Sequence, residues 1–348
     1  EHLAWHRDET VKVFAGETLG YVTPWHGRGY DFARTFRSKF TYISPVWYQL
    51  RGQEAGGASA GSVGGDSRKK FTLTGGHDFD GAWVADVRDG VHIDGSSGGA
   101  GANGHTTKIV PRVVLEMYGR FQLSGADLLE MSALLVDEAI LRRRATSHSY
   151  HGYVLDIPLS DGIEQFVGGI KQVAQQRGVD LLLIQAWSRL SPQQRETLVP
   201  LVHRFSLMTY DYGVGVGGEG GGVPNSPLGW MRECAEAFAP GQLGKELRGK
   251  ILLGLPFYGY DNGKAINYKE ALSALQGGMS DPNAVRIRWD MTSREHVITY
   301  TGWDAVEHTA TYPTLQFIKE RTDLAHELGV GIAVWELGQG MPYYFDLL

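Results

Sequence analysis

The sequence predicts an α/β fold, a (β/α)8 barrel. Three observations predict it. Eight short, nearly continuous apolar runs recur along the chain. Helical patterns separate them without a break, which favours a closed barrel over a doubly wound sheet. The length of 348 residues exceeds the roughly 250 that such a barrel needs, leaving room for insertions.

The strand runs fall at 18–25 (TLGYVTPW), 40–47 (FTYISPVW), 108–116 (KIVPRVVLE), 151–157 (HGYVLDI), 179–187 (VDLLLIQAW), 205–211 (FSLMTYD), 250–258 (KILLGLPFY) and 330–336 (VGIAVWE). Continuous rather than alternating apolar character is what parallel strands covered on both faces require. Ser124 is an N-cap for a helix over 124–145. A second helix over 160–177 begins at Ser160, with Asp161 and Glu164 in the first turn, where negative charge suits the helix dipole. Pro313 opens a third over 313–328, and Gly329 closes it.

The whole chain, 1–348, reads as one barrel domain. Residues 259–312 form an insertion between the seventh and eighth strands, and 285–301 within it reads as a hairpin on the barrel's C-terminal side. Glycine-rich tracts at 52–65, 95–104 and 213–222 read as flexible loops. None contains the Gly-x-x-x-x-Gly-Lys-Ser/Thr pattern of a phosphate cradle.

The net charge of -6 and the absence of long basic runs exclude a nucleic-acid partner. No apolar stretch reaches the roughly 18 residues of a membrane span. Cys234 is the one cysteine, so neither an intramolecular disulfide nor a multi-cysteine zinc site can form. His26, His77 and His151 lack metal-ligand spacing, and no nucleophile elbow is present. No metal or cofactor is expected. The chain begins at Glu1 rather than methionine, which points to a segment removed before it.

In barrels the working groups lie at the C-terminal strand ends. There the fourth strand reads His151-Gly152-Tyr153-Val154-Leu155-Asp156-Ile157-Pro158. The sixth reads Ser206-Leu207-Met208-Thr209-Tyr210-Asp211-Tyr212, the seventh contains Gly254 to Gly259 (GLPFYG), and the eighth ends Ala333-Val334-Trp335-Glu336. Taken together, and with GYVTPW at 20–25, this set resembles glycoside hydrolase family 18, the chitinases and chitinase-like lectins. The resemblance spans nearly the whole chain. TGGHDFD at 74–80, FSLMTYDY at 205–212 and WELGQG at 335–340 are most similar to the stabilin-interacting chitinase-like branch.

The resemblance implies an Asp-x-x-Asp-x-Asp-x-Glu series on the fourth strand, in which the glutamate protonates the leaving oxygen. The last aspartate steadies the substrate's own acetamide as it attacks the anomeric carbon. Acids two apart on a strand share a face. Here the series reads His151, Val154, Asp156 and Pro158. Pro158 has no proton to give, and general acid catalysis is commonly worth about 100- to 10,000-fold. Val154 beside Asp156 should desolvate that carboxyl unless donors compensate. Asp156 stays open between a ligand contact and a structural acid bonded to Tyr210 or a backbone amide. Glu116, Asp211 and Glu336 end other strands, where a relocated acid would sit.

The resemblance further implies that Met208, Tyr210 and Asp211 line a sugar subsite, with Trp335 as its floor and Tyr258 reaching in. Tyr21, Trp25, Trp47 and Trp187 would extend the groove or fill the core. A tryptophan face suits the apolar side of a pyranose, and carboxylates and hydroxyls bind its rim. The expected protein is a carbohydrate-binding, chitinase-like lectin without hydrolase activity, taking chitooligosaccharide-type sugars. A weak glycosidase with a relocated acid and a protein-interaction module that no longer binds sugar are the alternatives. The resemblance implies an oligosaccharide ligand, a cell-surface receptor as a further partner, and a secreted or lysosomal setting.

Overall fold

The computed structural model describes residues 8–53, 70–89, 106–118, 122–145, 149–159, 161–186, 190–215, 222–240, 244–277, 285–302 and 305–348. Trp187, Ser160, the 95–104 tract and most of the 52–65 and 213–222 tracts lie outside them. The chain forms two compact units. The first comprises Glu1–Ile43, Val87–Thr107 and Ser206–Leu348, the second Ser44–Asp86 and Lys108–Phe205. Among the described residues no helix is long and apolar enough to cross a membrane.

All eight apolar runs contain strands: Thr18–Val22, Tyr42–Pro45, Lys108–Ile109 with Arg112–Tyr118, Gly152–Asp156, Leu182–Gln185, Arg204–Leu207, Ile251–Pro256 and Gly331–Trp335. In the first unit, Gly331–Trp335 lies between Thr18–Val22 and Ile251–Pro256, parallel to both. These strands are buried almost throughout, which explains their unbroken apolar sequence. Pro256 faces Trp335 in register, so the two strands end level.

The second unit runs Lys70–Thr74, Tyr48–Gln53, Arg112–Tyr118, Gly152–Asp156 and Leu182–Gln185 in order, parallel except for the first pair. That antiparallel hairpin was not expected. It continues the second strand past residue 47 and places Trp47 inside the structure. Trp47 is 0% exposed, edge-on to Trp83, Phe79 and Tyr48 at 5.6–6.4 Å. The expected sugar contact at Trp47 is therefore corrected to a core residue.

Helices follow the strands. Ser124 and Asp127 cap Gly125–Ala145 reciprocally, Asp127 N–H donating to Ser124 Oγ at 3.3 Å and Ser124 N–H to Asp127 Oδ2 at 2.7 Å. This helix meets Ile163–Gln176 where Gly169 faces Ser132; a Cβ at Gly169 would lie 2.7 Å from Ser132 Oγ. Leu315–Leu328 begins two residues later than expected. Thr314, not Pro313, starts it, its hydroxyl accepting from Phe317 N–H at 3.3 Å, and Gly329 ends it at φ 68°.

Between the seventh and eighth strands the first unit carries a second, antiparallel sheet. Its order is Lys264–Ile266, Gly259–Asp261, Glu307–Thr311, Glu295–Thr301 and Val285–Asp290. The helix Tyr268–Gly277 belongs to the same segment.

Candidate functional site

The first unit carries six of the expected residues at or near the ends of its strands: Tyr21, Met208, Tyr210, Asp211, Tyr258 and Trp335. Beyond Leu207 the sixth strand passes through half-buried Met208 and Tyr210 to Asp211. Gly254 of the seventh strand lets the backbones close: a Cβ there would sit 2.4 Å from Leu207 O and 2.8 Å from the Tyr210 ring. Tyr210 and Tyr258 meet edge-on at 6.2 Å.

Asp211 has φ 62°, a left-handed conformation that non-glycine residues hold only under surrounding constraint. Its N–H donates to Asn225 Oδ1 at 2.9 Å. Its carboxylate Oδ1 accepts from the hydroxyl of Tyr258 and from that of Tyr260 at 2.5 Å. Burial, and then the nearby carboxylate, push both phenols well above their ordinary range. Both phenols therefore remain neutral donors to that oxygen.

Trp335 is half-buried at the end of the eighth strand, its ring 5.2 Å from that of Tyr21. Tyr21 is fixed from behind by a 3.0 Å hydrogen bond between its hydroxyl and Ser206 Oγ. Trp25 is 73% exposed, so it belongs to the surface rather than the core.

Glu336 does not face a mouth. It is 1% exposed and lies against the start of helix Gly27–Thr35, where a Cβ on Gly29 would come within 2.4 Å of its Oε1. His26 Nδ1 is 3.7 Å away. Burial pushes the Glu336 carboxyl up to about 7; the N–H groups of Gly338, Thr23 and Gln339 and the charge of Arg28 pull the other way. None of those N–H groups closes a full hydrogen bond, and both carboxyl oxygens lack partners among the described residues.

In the second unit, Asp156 ends the fourth strand in an ion pair with Arg112. That guanidinium is the partner the second unit gives this carboxylate. Glu116 pairs with Arg51 at 2.9 Å. His151 Nδ1 accepts from Ile109 N–H at 3.1 Å, so it serves the backbone. Pro158 is exposed beyond the strand. Among the described residues no group of three or more His, Cys, Asp or Glu could hold a metal ion.

Sequence reasoning missed Tyr260, Ser206 and Asn225. Tyr260 was readable: it stands two residues beyond Tyr258, and alternation along an extended segment puts both on one face. Asn225 and Ser206 have no local signal, because tertiary contacts alone bring them to the site.

No family model matches the chain. Solved structures match it over nearly its whole length. The spore cortex-lytic enzyme SleL of Bacillus cereus aligns at 17% identity and TM-score 0.62, covering 95% of this chain and 73% of SleL. A chitinase from Chromobacterium violaceum aligns at 16% and 0.62, covering 96% and 98%. The family GH18 chitinase of Cycas revoluta, in complex with allosamidin, aligns at 15% and 0.64, covering 95% and 98%. The expectation that the chain is not an enzyme, drawn from the departures at His151, Val154 and Pro158, is overturned: the structures that share its fold are chitinases and a spore cortex-lytic enzyme. The chain has the (β/α)8 fold of the GH18 chitinases.

Proposed function

We propose that the protein binds and slowly cleaves a β-linked polymer of N-acetylated glucosamine at the aromatic strand ends of its first unit. One observation carries this reading. Asp211 Oδ1 takes two tyrosine hydroxyls, which leaves Oδ2 for a ligand, in a unit that also presents Trp335 as an aromatic face. Trp335 would take the apolar side of a pyranose. The Asp211 carboxylate would steady positive charge developing at the sugar. The known ligands of the fold agree in kind: the Cycas revoluta chitinase is also solved in complex with (GlcNAc)3, at 14% identity and TM-score 0.63.

The reaction class is hydrolysis in which the sugar's acetamide oxygen attacks C1 as the glycosidic bond breaks; water then attacks C1, the acetamide oxygen departs and the water's proton passes to solvent. The leaving oxygen needs a proton. Pro158 supplies none, and Asp156 and Glu116 are each engaged by an arginine. The proton therefore comes from solvent, and the missing general acid slows the reaction about 100- to 10,000-fold. A leaving group that departs as an anion escapes this penalty.

The test is calorimetric titration with N-acetylglucosamine oligomers beside turnover of their nitrophenyl glycosides. Binding, measurable release of nitrophenol, and loss of that release in Asp211→Asn are expected. No binding at millimolar sugar together with no release overturns the reading.

From the resemblance of residues 74–80, 205–212 and 335–340 to the stabilin-interacting branch, which includes chitinase domain-containing protein 1, we further propose a cell-surface receptor as partner and a secreted or lysosomal setting. Labelled protein should then bind receptor-bearing cells and leave receptor-free cells bare; equal binding to both removes this extension.

A further inference from the structure

Asn225 follows the 213–222 tract and is buried at 3% exposure. Its four polar atoms are all engaged. Oδ1 accepts from Asp211 N–H at 2.9 Å, and the backbone carbonyl accepts from Tyr212 N–H at 3.0 Å. Nδ2 donates to Tyr258 O at 3.0 Å, and the backbone N–H donates to Glu295 Oε2 at 3.1 Å. One side chain thus ties the end of the sixth strand to the end of the seventh.

Its own position is fixed from the inserted sheet. Glu295 also accepts from Ser226 N–H at 2.7 Å through Oε1. Arg321 Nη2 lies 3.8 Å from Glu295 Oε1 and donates to Ser226 O at 2.6 Å and Ser293 O at 3.1 Å. Ser226 Oγ donates to Thr209 O at 2.5 Å. A buried carboxylate and a buried guanidinium are costly to desolvate unless they are paired and hydrogen-bonded. Here they converge on two consecutive residues, Asn225 and Ser226.

We infer that Asn225 is the positioning residue of the Asp211–Tyr258 pair, and that Glu295 of the inserted sheet holds Asn225 in place. The inference deepens the role proposed for Asp211. Asp211 holds a left-handed backbone while its carboxylate meets both tyrosines, and Asn225 Oδ1 is the acceptor that satisfies its N–H there. The inserted sheet is thereby a working part of the site. It supplies Tyr260 directly and Glu295 through Asn225.

The experiment compares wild type with Asn225→Ala, Asn225→Asp and Glu295→Gln. The [13C]tyrosine Cζ resonances of Tyr258 and Tyr260 report their hydrogen bonds with no sugar present. Oligomer affinity and the kcat and KM for nitrophenyl release report the site. Asn225→Ala should move both resonances, lower kcat at least tenfold and change KM less. Asn225→Asp keeps an acceptor for Asp211 N–H and should recover part of kcat. Leu324→Ala, a core variant that also lowers Tm, should leave the resonances and kcat in place. If Asn225→Ala does not fold, Glu295→Gln carries the test and should move the same resonances by a smaller amount. Folded variants with wild-type tyrosine resonances overturn the inference. A wild type without binding or turnover defeats the proposed function instead, and the resonances still decide the role of Asn225.

Discussion

Tyr258 donates its hydroxyl to Oδ1 of Asp211, the same oxygen that accepts from Tyr260 two residues further on. Hydrogen bonds to a charged acceptor contribute about 1.5–3 kcal/mol. Tyr258→Phe should therefore weaken kcat/KM for nitrophenyl release about 10- to 100-fold. Tyr258→Phe with Tyr260→Phe should cost less than the sum of the singles, because both act on one oxygen. Steady-state kinetics on the four proteins measures this. Strict additivity would show that the two hydroxyls act on different groups.

Trp335 carries the next prediction. Its ring is half-buried against Tyr21, and full burial of a large apolar side chain is worth about 1.5–3 kcal/mol. Trp335→Ala should weaken oligosaccharide binding about 10- to 100-fold, whereas Trp335→Phe should keep part of it. Tyr21→Phe tests the support beneath: it removes the hydroxyl bonded to Ser206 and should weaken binding by only a few-fold. Calorimetry distinguishes these outcomes, and unchanged affinity in Trp335→Ala would remove the residue from the site.

How much was legible depended on whether a residue's role is local. Continuous apolar runs placed all eight strands, because burial on both faces leaves its mark on every residue. The hairpin strand Lys70–Thr74 escaped, being short and set apart from its partner by a glycine-rich tract. That omission misplaced Trp47: the second strand seemed to end there, but the chain pairs onward through Gln53. Likewise Glu336 ends a strand, yet its side chain lies against helix Gly27–Thr35, a direction that no sequence period encodes. Asn225 sits among Pro224, Ser226 and Pro227, a turn-like context, and only its tertiary contacts reveal its role.

Trp47 now supports an opposite expectation. It is enclosed by Trp83, Phe79 and Tyr48, and removing a buried tryptophan costs about 3–5 kcal/mol. Trp47→Ala should unfold at markedly lower denaturant while sugar affinity per folded molecule stays at the wild-type value. A selective loss of affinity with unchanged stability would restore the groove role.

Glu336 makes stability depend on pH with a definite sign. Its carboxyl is pushed up to about 7 in the folded protein from an ordinary 4.5, chiefly by burial. Between those values the unfolded chain has released this proton and the folded chain still holds it. Unfolding then releases a proton, so stability falls as pH rises through the window. The contribution is fully present below about 4.5 and is lost above about 7, and a shift of this size corresponds to about 3 kcal/mol. His26, 3.7 Å away, works in the opposite sense, because burial, Arg28 and Lys269 lower its value and disfavour its charged form. The wild-type curve alone therefore mixes two groups, and the comparison with Glu336→Gln isolates one. The neutral amide has nearly the same shape and no charge to desolvate. It should match wild type near pH 4.5 and exceed its stability by about 2–3 kcal/mol at pH 8, read by denaturant unfolding across that range. Parallel curves for the two proteins would mean that the Glu336 carboxyl keeps its ordinary acidity, which requires its unpartnered oxygens to be hydrated in the folded state.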